Sequence, residues 1–286
     1  MINLKCNCCD GTLNTLDIHF TSLCDNRCNH CIDRKLSGLK GISPNPNVHK
    51  ITESILSNKD NVNDVLFLGG EPCLFLDELI ECVKILRDNS SLKLYVTTSV
   101  PRTCYDYKDK FFKLIELLDG INLSLQSHKE DIADEIRNCK STYDRQLFYK
   151  IIPYKEKIRI NLNIVKPYLC TKSDIIECLM HYNKIGFKSF KLSEISGKDY
   201  YVSFEKLFDV KLGSPYSHGC QKLIDMKSLI PDFDGEVLLK RACFISESSL
   251  NASFGDLIKS ISKCFMSSKN ASRVIYEDGT ITKHWI

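Results

Sequence analysis

The sequence has no apolar run long enough to cross a membrane and no strong excess of charge. No window approaches about 18 apolar residues, and residues 1–20 lack the charged start and apolar stretch of a signal peptide. We therefore expect a cytoplasmic protein with no membrane partner. The 39 basic and 36 acidic residues leave a net charge of +3, so the bulk charge does not indicate a nucleic-acid partner.

Internal repeats and low-complexity tracts are also missing from the sequence. The 286 residues are 43% hydrophobic and 26% charged, which are ordinary values for a globular protein and exclude a disordered or fibrous chain. The length predicts one large domain, or one domain with a small extension.

Cysteine is the residue present in excess, with 15 in 286. A disulfide framework is not expected in a reducing compartment. The cysteines therefore divide between buried apolar residues and ligands of a metal or redox centre. Five that occur singly are interpreted as core or incidental residues: Cys82, Cys104, Cys139, Cys170 and Cys178.

Short β-rich runs alternate with longer amphipathic runs through the first 200 residues. Strands are predicted at residues 17–22, 64–68, 92–98, 121–125, 157–165 and 188–192. Helices are predicted at residues 47–57, 74–87, 108–118 and 173–185, with further helical material up to residue 154. Six βα-type units indicate an α/β fold with a parallel sheet. Six are too few to close an eight-stranded barrel, so we expect an open, partial (β/α)6 barrel with its chemistry at the C-terminal ends of the strands.

The alternation stops near residue 196, where turn signals separate short runs. This part of the chain predicts a small extension of hairpins and helical turns that packs against the barrel. The resulting division is an N-terminal cysteine-containing segment at 1–16, a barrel at 17–200 and a C-terminal extension at 201–286.

A cysteine motif follows the first predicted strand directly: Cys24, Cys28 and Cys31, spaced C-x3-C-x2-C. Three thiolates in one loop can hold a [4Fe–4S] cluster by three of its irons, which leaves the fourth iron open to another ligand. A structural zinc site usually takes four ligands in paired motifs. Zinc binding and incidental thiols are the alternatives to the iron–sulfur interpretation.

A second motif, Gly69-Gly70-Glu71-Pro72, ends the second predicted strand. Two glycines let the backbone approach a ligand closely, and a neighbouring carboxylate can bind an ammonium group. Taken alone the motif indicates only a turn.

Together the two motifs resemble those of the radical SAM superfamily. The resemblance implies a partial (β/α)6 barrel that carries a [4Fe–4S] cluster and binds S-adenosylmethionine (SAM) at the open iron. His30 occupies the position of the family's aromatic residue before the third cysteine. The residues Gly69, Gly70, Glu71 and Pro72 match the motif that binds the SAM amino group.

Further SAM contacts are implied at the later strand ends: Ser124, Gln126, Arg137, Asn163 and Glu194. The first two resemble the fourth-strand end that contacts the ribose and carboxylate, and the arginine resembles one near the SAM carboxylate. The last two follow the fifth and sixth strands. Residues 97–99 (Thr-Thr-Ser) stand where many members have a TNG-like sequence, and the asparagine is missing here. Each of these polar residues can also be interpreted as a solvated or capping residue.

The resemblance also implies the reaction. One electron, from a donor such as flavodoxin or ferredoxin, would cleave SAM to a 5′-deoxyadenosyl radical. The radical would abstract hydrogen from a peptide or a small metabolite, which makes the protein an oxidoreductase. An RNA-modifying radical SAM enzyme is one alternative. A non-catalytic iron–sulfur or zinc module is another, although an electron carrier needs no site for the SAM amino group.

Cys220, followed by Gly235 and Cys243, resembles the opening of a SPASM or twitch domain, which carries an auxiliary cluster, and Cys264 is a possible third ligand. The spacing departs from that pattern, and the dense later cysteines are missing. Cys6, Cys8 and Cys9 could supply other ligands. The alternatives are that Cys220 donates a hydrogen atom or that these thiols are structural. Because only residues 1–16 precede the first strand, we expect no separate N-terminal peptide-binding domain.

Overall fold

The structure is a computed structural model that describes residues 15–31, 44–139, 145–195, 199–212, 221–241 and 274–282. The predicted auxiliary ligands lie outside the described residues: Cys6, Cys8, Cys9, Cys220, Cys243 and Cys264. The cysteine motif and the GGEP motif lie within them.

A ten-stranded sheet organises the chain, in the order β10-β9-β1-β2-β3-β4-β5-β6-β8-β7. The strands are β1 Thr15–Thr21, β2 Asp64–Gly69, β3 Lys93–Thr98, β4 Gly120–Ser124, β5 Ile158–Ile164, β6 Ser189–Glu194, β7 Gln221–Ile224, β8 Glu236–Lys240, β9 Val274–Ile275 and β10 Ile281–Thr282. Neighbouring strands from β1 to β6 are parallel. The predicted α/β fold with an open sheet is therefore confirmed.

The helices alternate with these strands as the periodicity predicts. They are α1 Val48–Leu56, α2 Leu76–Asn89, α3 Arg102–Asp106, α4 Lys108–Leu117, α5 Glu130–Arg137, α6 Arg145–Ile151, α7 Lys172–Ile185 and α8 Phe204–Phe208. Thr171 and Asp174 form a capping box at the start of α7, which satisfies backbone donors that the first turn leaves free. Left-handed Gly186 ends the same helix.

The two faces of the sheet differ in polarity. On the outer face, residues paired across five strands are all buried and form one apolar cluster with residues of α1, α2, α4 and α7. These paired residues are Ile18, Phe67, Val96, Ile121 and Ile158. Burial of this row supplies the main free energy that holds the helices on the sheet.

The inner face is largely polar. The side chains of Thr97, Asn122 and Arg159 occupy one row, in which the Asn122 amide donates to Thr97 (3.2 Å) and Arg159 Nε donates to Asn122 Oδ1 (2.9 Å). Arg159 is only 3% exposed, and burial lowers the pKa of its guanidinium to about 10. The inner face therefore offers hydrogen-bonding groups within the barrel.

Strands from the predicted extension complete this sheet at both ends. The β8 strand pairs in parallel with β6, and β9 pairs in parallel with β1. Next to β9, Glu277 lies 2.9 Å from the buried ring of His19 on β1. The division of the chain at residue 200 stays a prediction, since part of the extension continues the barrel sheet.

In the described part of the chain, no helix has both the length and the apolar character needed to cross a membrane.

The burial of the outer face leads to a prediction about the free energy of unfolding. Phe67 is fully buried and packs edge-to-face on Phe20 with ring centroids 5.7 Å apart. We expect Phe67→Ala to lower the free energy of unfolding by about 3–5 kcal/mol, because it leaves a cavity in the core. The control is Leu66→Ala, which removes a half-buried inner-face side chain from the adjacent position. Denaturant unfolding under anaerobic conditions measures both, and equal losses would contradict the assignment of the faces.

Candidate active site

The three motif cysteines lie in the loop of residues 22–31 that leaves the C-terminal end of β1. Cys24 is exposed, and Cys28 and Cys31 are partly buried. Two backbone hydrogen bonds shape the loop: Cys31 N donates to Cys28 O (3.2 Å), and Arg27 N donates to Arg137 O at the end of α5 (2.8 Å). The cysteine loop is thus supported by the helix that follows β4.

The electrostatics of the loop suit a metal-bearing group. Desolvation, followed by the charge of Cys31, raises the pKa of the Cys28 thiol to about 11, while the Arg137 guanidinium acts in the opposite direction. Desolvation and then the Glu71 carboxylate raise the pKa of Cys24. Thiolates in such surroundings need a positive partner, and metal binding supplies it by displacing the protons.

The three motif cysteines do not converge on one point in the described structure. Among them, no group of three or more His, Cys, Asp or Glu side chains has the arrangement of a metal site. The donor set nevertheless fits an iron–sulfur cluster, because three soft sulfur ligands follow one strand within a single loop.

The GGEP turn leaves the end of β2 and lies against the cysteine loop. Gly70 N donates to Thr21 O and Glu71 N donates to Leu23 O, each at 2.7 Å. A Cβ atom on Gly70 would lie 2.1 Å from Leu23 O, and one on Gly69 would lie 2.7 Å from Thr21 O. A side chain at either position would overlap the end of β1 or the cysteine loop, so both positions require glycine.

Glu71 is buried, with an exposure of 2%, and both of its carboxylate oxygens accept hydrogen bonds from the chain. Oε1 accepts from Thr98 Oγ1 (2.7 Å) and Cys73 N (3.1 Å). Oε2 accepts from the backbone N and the Oγ of Ser99, each at 2.7 Å. Burial raises the pKa of Glu71, and these hydrogen bonds oppose the rise.

Left-handed residues occur at the ends of three successive strands: Gly69 (φ 117°), Val100 (φ 58°) and Gln126 (φ 66°). The last two are unusual because side chains disfavour this conformation, and such backbone strain collects at functional sites. Gln126 is 5% exposed, and its buried Oε1 has no hydrogen-bond partner among the described residues. An acceptor of this kind fits a ligand that carries hydroxyl or amino donors.

The other predicted contacts are distributed around this edge. His30 packs edge-on against Tyr200 with ring centroids 6.2 Å apart. Arg137 is 4% exposed, and its guanidinium donates to Leu125 O (3.2 Å). Ser124 and Asn163 are half-buried near the ends of β4 and β5, on the polar inner face.

Glu194 and Pro72 have structural partners. Glu194 shares the outer face of β6 with Leu192, and its Oε1 accepts from Phe204 N (2.8 Å). Pro72 is buried in the first turn of a 3-10 helix. Their assignment to SAM binding stays a prediction.

Three residues to which the sequence reasoning assigned no role in this site also reach it: Asn26, Ser99 and Cys139. Asn26 lies inside the cysteine loop and donates to Ser99 Oγ (2.7 Å), and Ser99 in turn contacts Glu71. Cys139, interpreted from the sequence as core or incidental, is partly buried, and its thiol lies 3.2 Å from Asn26 Oδ1. The position of residues 97–99 at a strand end was the signal available for Ser99, and Asn26 had none.

Comparison with known proteins gives a family and a fold. Residues 18–152 match the model of the Radical SAM superfamily. Streptococcus suis SuiB bound to S-adenosylmethionine is similar with a TM-score of 0.58 and 17% identity, over 96% of this chain and 61% of that chain. SuiB bound to the precursor peptide SuiA is similar with a TM-score of 0.55 and 18% identity, over 96% of this chain and 60% of that chain.

The chain thus spans about 61% of the length of the SuiB chain that it matches. No curated protein sequence matches it. The region matched by the family model contains the cysteine loop, the GGEP turn and the left-handed strand ends. Residues 18–152 therefore match the radical SAM superfamily, and this match implies a [4Fe–4S] cluster and SAM as cofactors.

Proposed function

We propose that this enzyme cleaves SAM reductively and abstracts hydrogen from a peptide substrate. One observation carries the proposal: two backbone hydrogen bonds of 2.7 Å join the GGEP turn to Thr21 at the end of β1 and to Leu23 in the cysteine loop, at the C-terminal edge of the sheet. A cluster ligand loop and a site for an amino group must be adjacent if one molecule is to bind both.

Cys24, Cys28 and Cys31 would hold the cluster, and their thiols would lose protons as it binds. When bound, the cluster and SAM supply the radical chemistry, with one electron from a donor such as flavodoxin or ferredoxin. Gly69 and Gly70 let the main chain of the turn pack directly against Thr21 and Leu23. Glu71 places a buried carboxylate there, and in its ionised form this group would attract an ammonium group.

The later strand ends would bind the rest of SAM. Gln126 Oε1 is a buried acceptor without a partner in the described residues, which suits a ribose hydroxyl. Ser124 and Asn163 face the polar interior, where both the nucleoside and the substrate need hydrogen bonds. Arg137 lies close enough to the cysteine loop to act on the pKa of Cys28, and its positive charge would attract the SAM carboxylate.

A peptide is the preferred substrate for two reasons. The inner face carries amide, hydroxyl and guanidinium groups, which suit a backbone and polar side chains. The similar fold of SuiB has been captured with its precursor peptide. A small polar metabolite is the second candidate, and product analysis with each class of substrate separates the two.

The assignment of the three cysteines as cluster ligands predicts that their removal abolishes SAM cleavage. Changing Cys24, Cys28 and Cys31 together to Ala should abolish formation of 5′-deoxyadenosine from SAM and dithionite, because the first cluster has no ligands left. The anaerobic parent protein should be brown with at least about four irons per chain. Cys82→Ala, which changes a buried thiol of α2, is the control and should keep SAM cleavage. Cleavage by the triple variant would overturn the ligand assignment.

Glu71 is predicted to affect SAM rather than iron. Glu71→Gln keeps the shape of the side chain but removes its charge, so we expect at least about tenfold weaker SAM binding with near-normal iron content. Glu81→Gln changes an exposed carboxylate on α2 and serves as the control. Equilibrium dialysis of the anaerobic holoprotein measures SAM affinity. An affinity equal to that of the parent would remove Glu71 from the SAM site.

A second cluster, held by Cys220, Cys243 and Cys264, remains part of the proposal. The variant without Cys24, Cys28 and Cys31 should then keep about four irons. Further changes of Cys220 and Cys243 to Ala should remove this iron. Iron close to zero in the first variant would contradict an auxiliary cluster and leave Cys220 as a hydrogen-atom donor or a structural thiol.

A further inference from the structure

We propose that Asn26 and Ser99 act as a positioning pair that fixes the Glu71 carboxylate relative to the cysteine loop and so sets SAM affinity. This inference rests on the proposed function, since it assigns a role in SAM binding. Asn26 is a non-cysteine position of the cysteine motif, and Ser99 is the last of residues 97–99; neither of them has a role predicted from the sequence. Their contacts link the loop after β1, the turn after β2 and the end of β3.

The link consists of short hydrogen bonds between side chains. Asn26 Nδ2 donates to Ser99 Oγ at 2.7 Å. Ser99 Oγ donates to Glu71 Oε2 at 2.7 Å, and Ser99 N donates to the same oxygen at 2.7 Å. Two donors from one residue on a single carboxylate oxygen fix its place in two directions, and the charge strengthens both bonds.

The direction of each bond follows from the chemistry of the groups. An ionised carboxylate can only accept, so the single hydroxyl hydrogen of Ser99 is directed to Glu71. Ser99 Oγ then has lone pairs that accept from the amide of Asn26. The other end of Asn26 is occupied as well, because its Oδ1 lies 3.2 Å from the Cys139 thiol, which donates to it. The amide therefore presents its nitrogen to Ser99.

The backbone after β3 is strained in a way that supports this geometry. Val100 has φ 58°, a conformation that a β-branched residue strongly disfavours. Thr98 Oγ1 accepts from Val100 N (2.9 Å) while it donates to Glu71 Oε1 (2.7 Å). The turn thus brings donors of Thr98 and Ser99 to the two oxygens of one buried carboxylate.

The arrangement matters because Glu71 N is bonded to Leu23 O in the cysteine loop. The main chain of Glu71 is fixed to this loop, and Asn26 fixes the side chain through Ser99. Because its main chain and its side chain are both linked to this loop, the Glu71 carboxylate moves with the loop that carries the proposed cluster ligands. Loss of either side chain should leave Glu71 free to shift and weaken its contact with an ammonium group.

The test measures SAM binding by anaerobic holoprotein variants. Ser99→Ala and Asn26→Ala should each weaken SAM binding about tenfold at unchanged iron content. The double variant should lose no more than about tenfold, because both changes break one connected link. The conservative variant Ser99→Thr keeps a hydroxyl and should restore near-parent affinity. Asn89→Ala and Ser90→Ala, which remove an amide and a hydroxyl at the end of α2, are the controls.

The electron paramagnetic resonance spectrum of the reduced cluster gives a second readout. The change that SAM causes in the spectrum should require about tenfold more SAM in the two single variants. Parent-like affinity in both would overturn the inference, and so would additive losses in the double variant. A variant that loses iron would assign these residues to cluster retention instead. If the parent protein itself binds no SAM, the proposed function fails together with this inference; if only the variants are unaffected, the proposed function stands.

Discussion

Close contact between two backbone segments is the constraint on which the site depends. Gly70 N and Glu71 N donate to Thr21 O and Leu23 O, so the turn after β2 is joined to the loop after β1. A side chain at residue 70 would overlap Leu23. The contact brings the carboxylate of Glu71 into the electrostatic field of Cys24. The loop proposed to carry the cluster and the proposed amino-group site are thereby joined through the main chain.

The C-terminal edge of the sheet, which carries this loop and turn, is polar and has a strained backbone. The apolar outer face of the sheet offsets the cost in stability. Val100 and Gln126 adopt left-handed conformations at consecutive strand ends, which other contacts must offset. The outer face supplies stabilising contacts through a continuous apolar layer between strands and helices. The parallel arrangement places the loops that leave the C-terminal ends of β1 to β6 at the same edge. Stability and chemistry are thus separated between the faces and the edge of one sheet.

The cysteine loop is also supported from the side of α5. Arg137 accepts from Arg27 N through its carbonyl, and its guanidinium counteracts the rise in the pKa of Cys28. Cys139, two residues later, contacts Asn26 in the same loop. The segment after β4 therefore contributes a predicted SAM contact and also supports the loop that carries the proposed cluster ligands.

The parallel α/β fold, the six barrel strands and the position of both motifs at strand ends could be predicted from the sequence. These features depend on periodicity, turn residues and spacing, which are local properties of the chain. Three other features became apparent only in the folded chain: β8 and β9 extend the barrel sheet, Glu194 is on the outer face, and Asn26 reaches Glu71 through Ser99. The Asn26–Ser99 contact joins residues 73 positions apart. Such contacts depend on strand register and on the close approach of loops, and no local pattern encodes either of them.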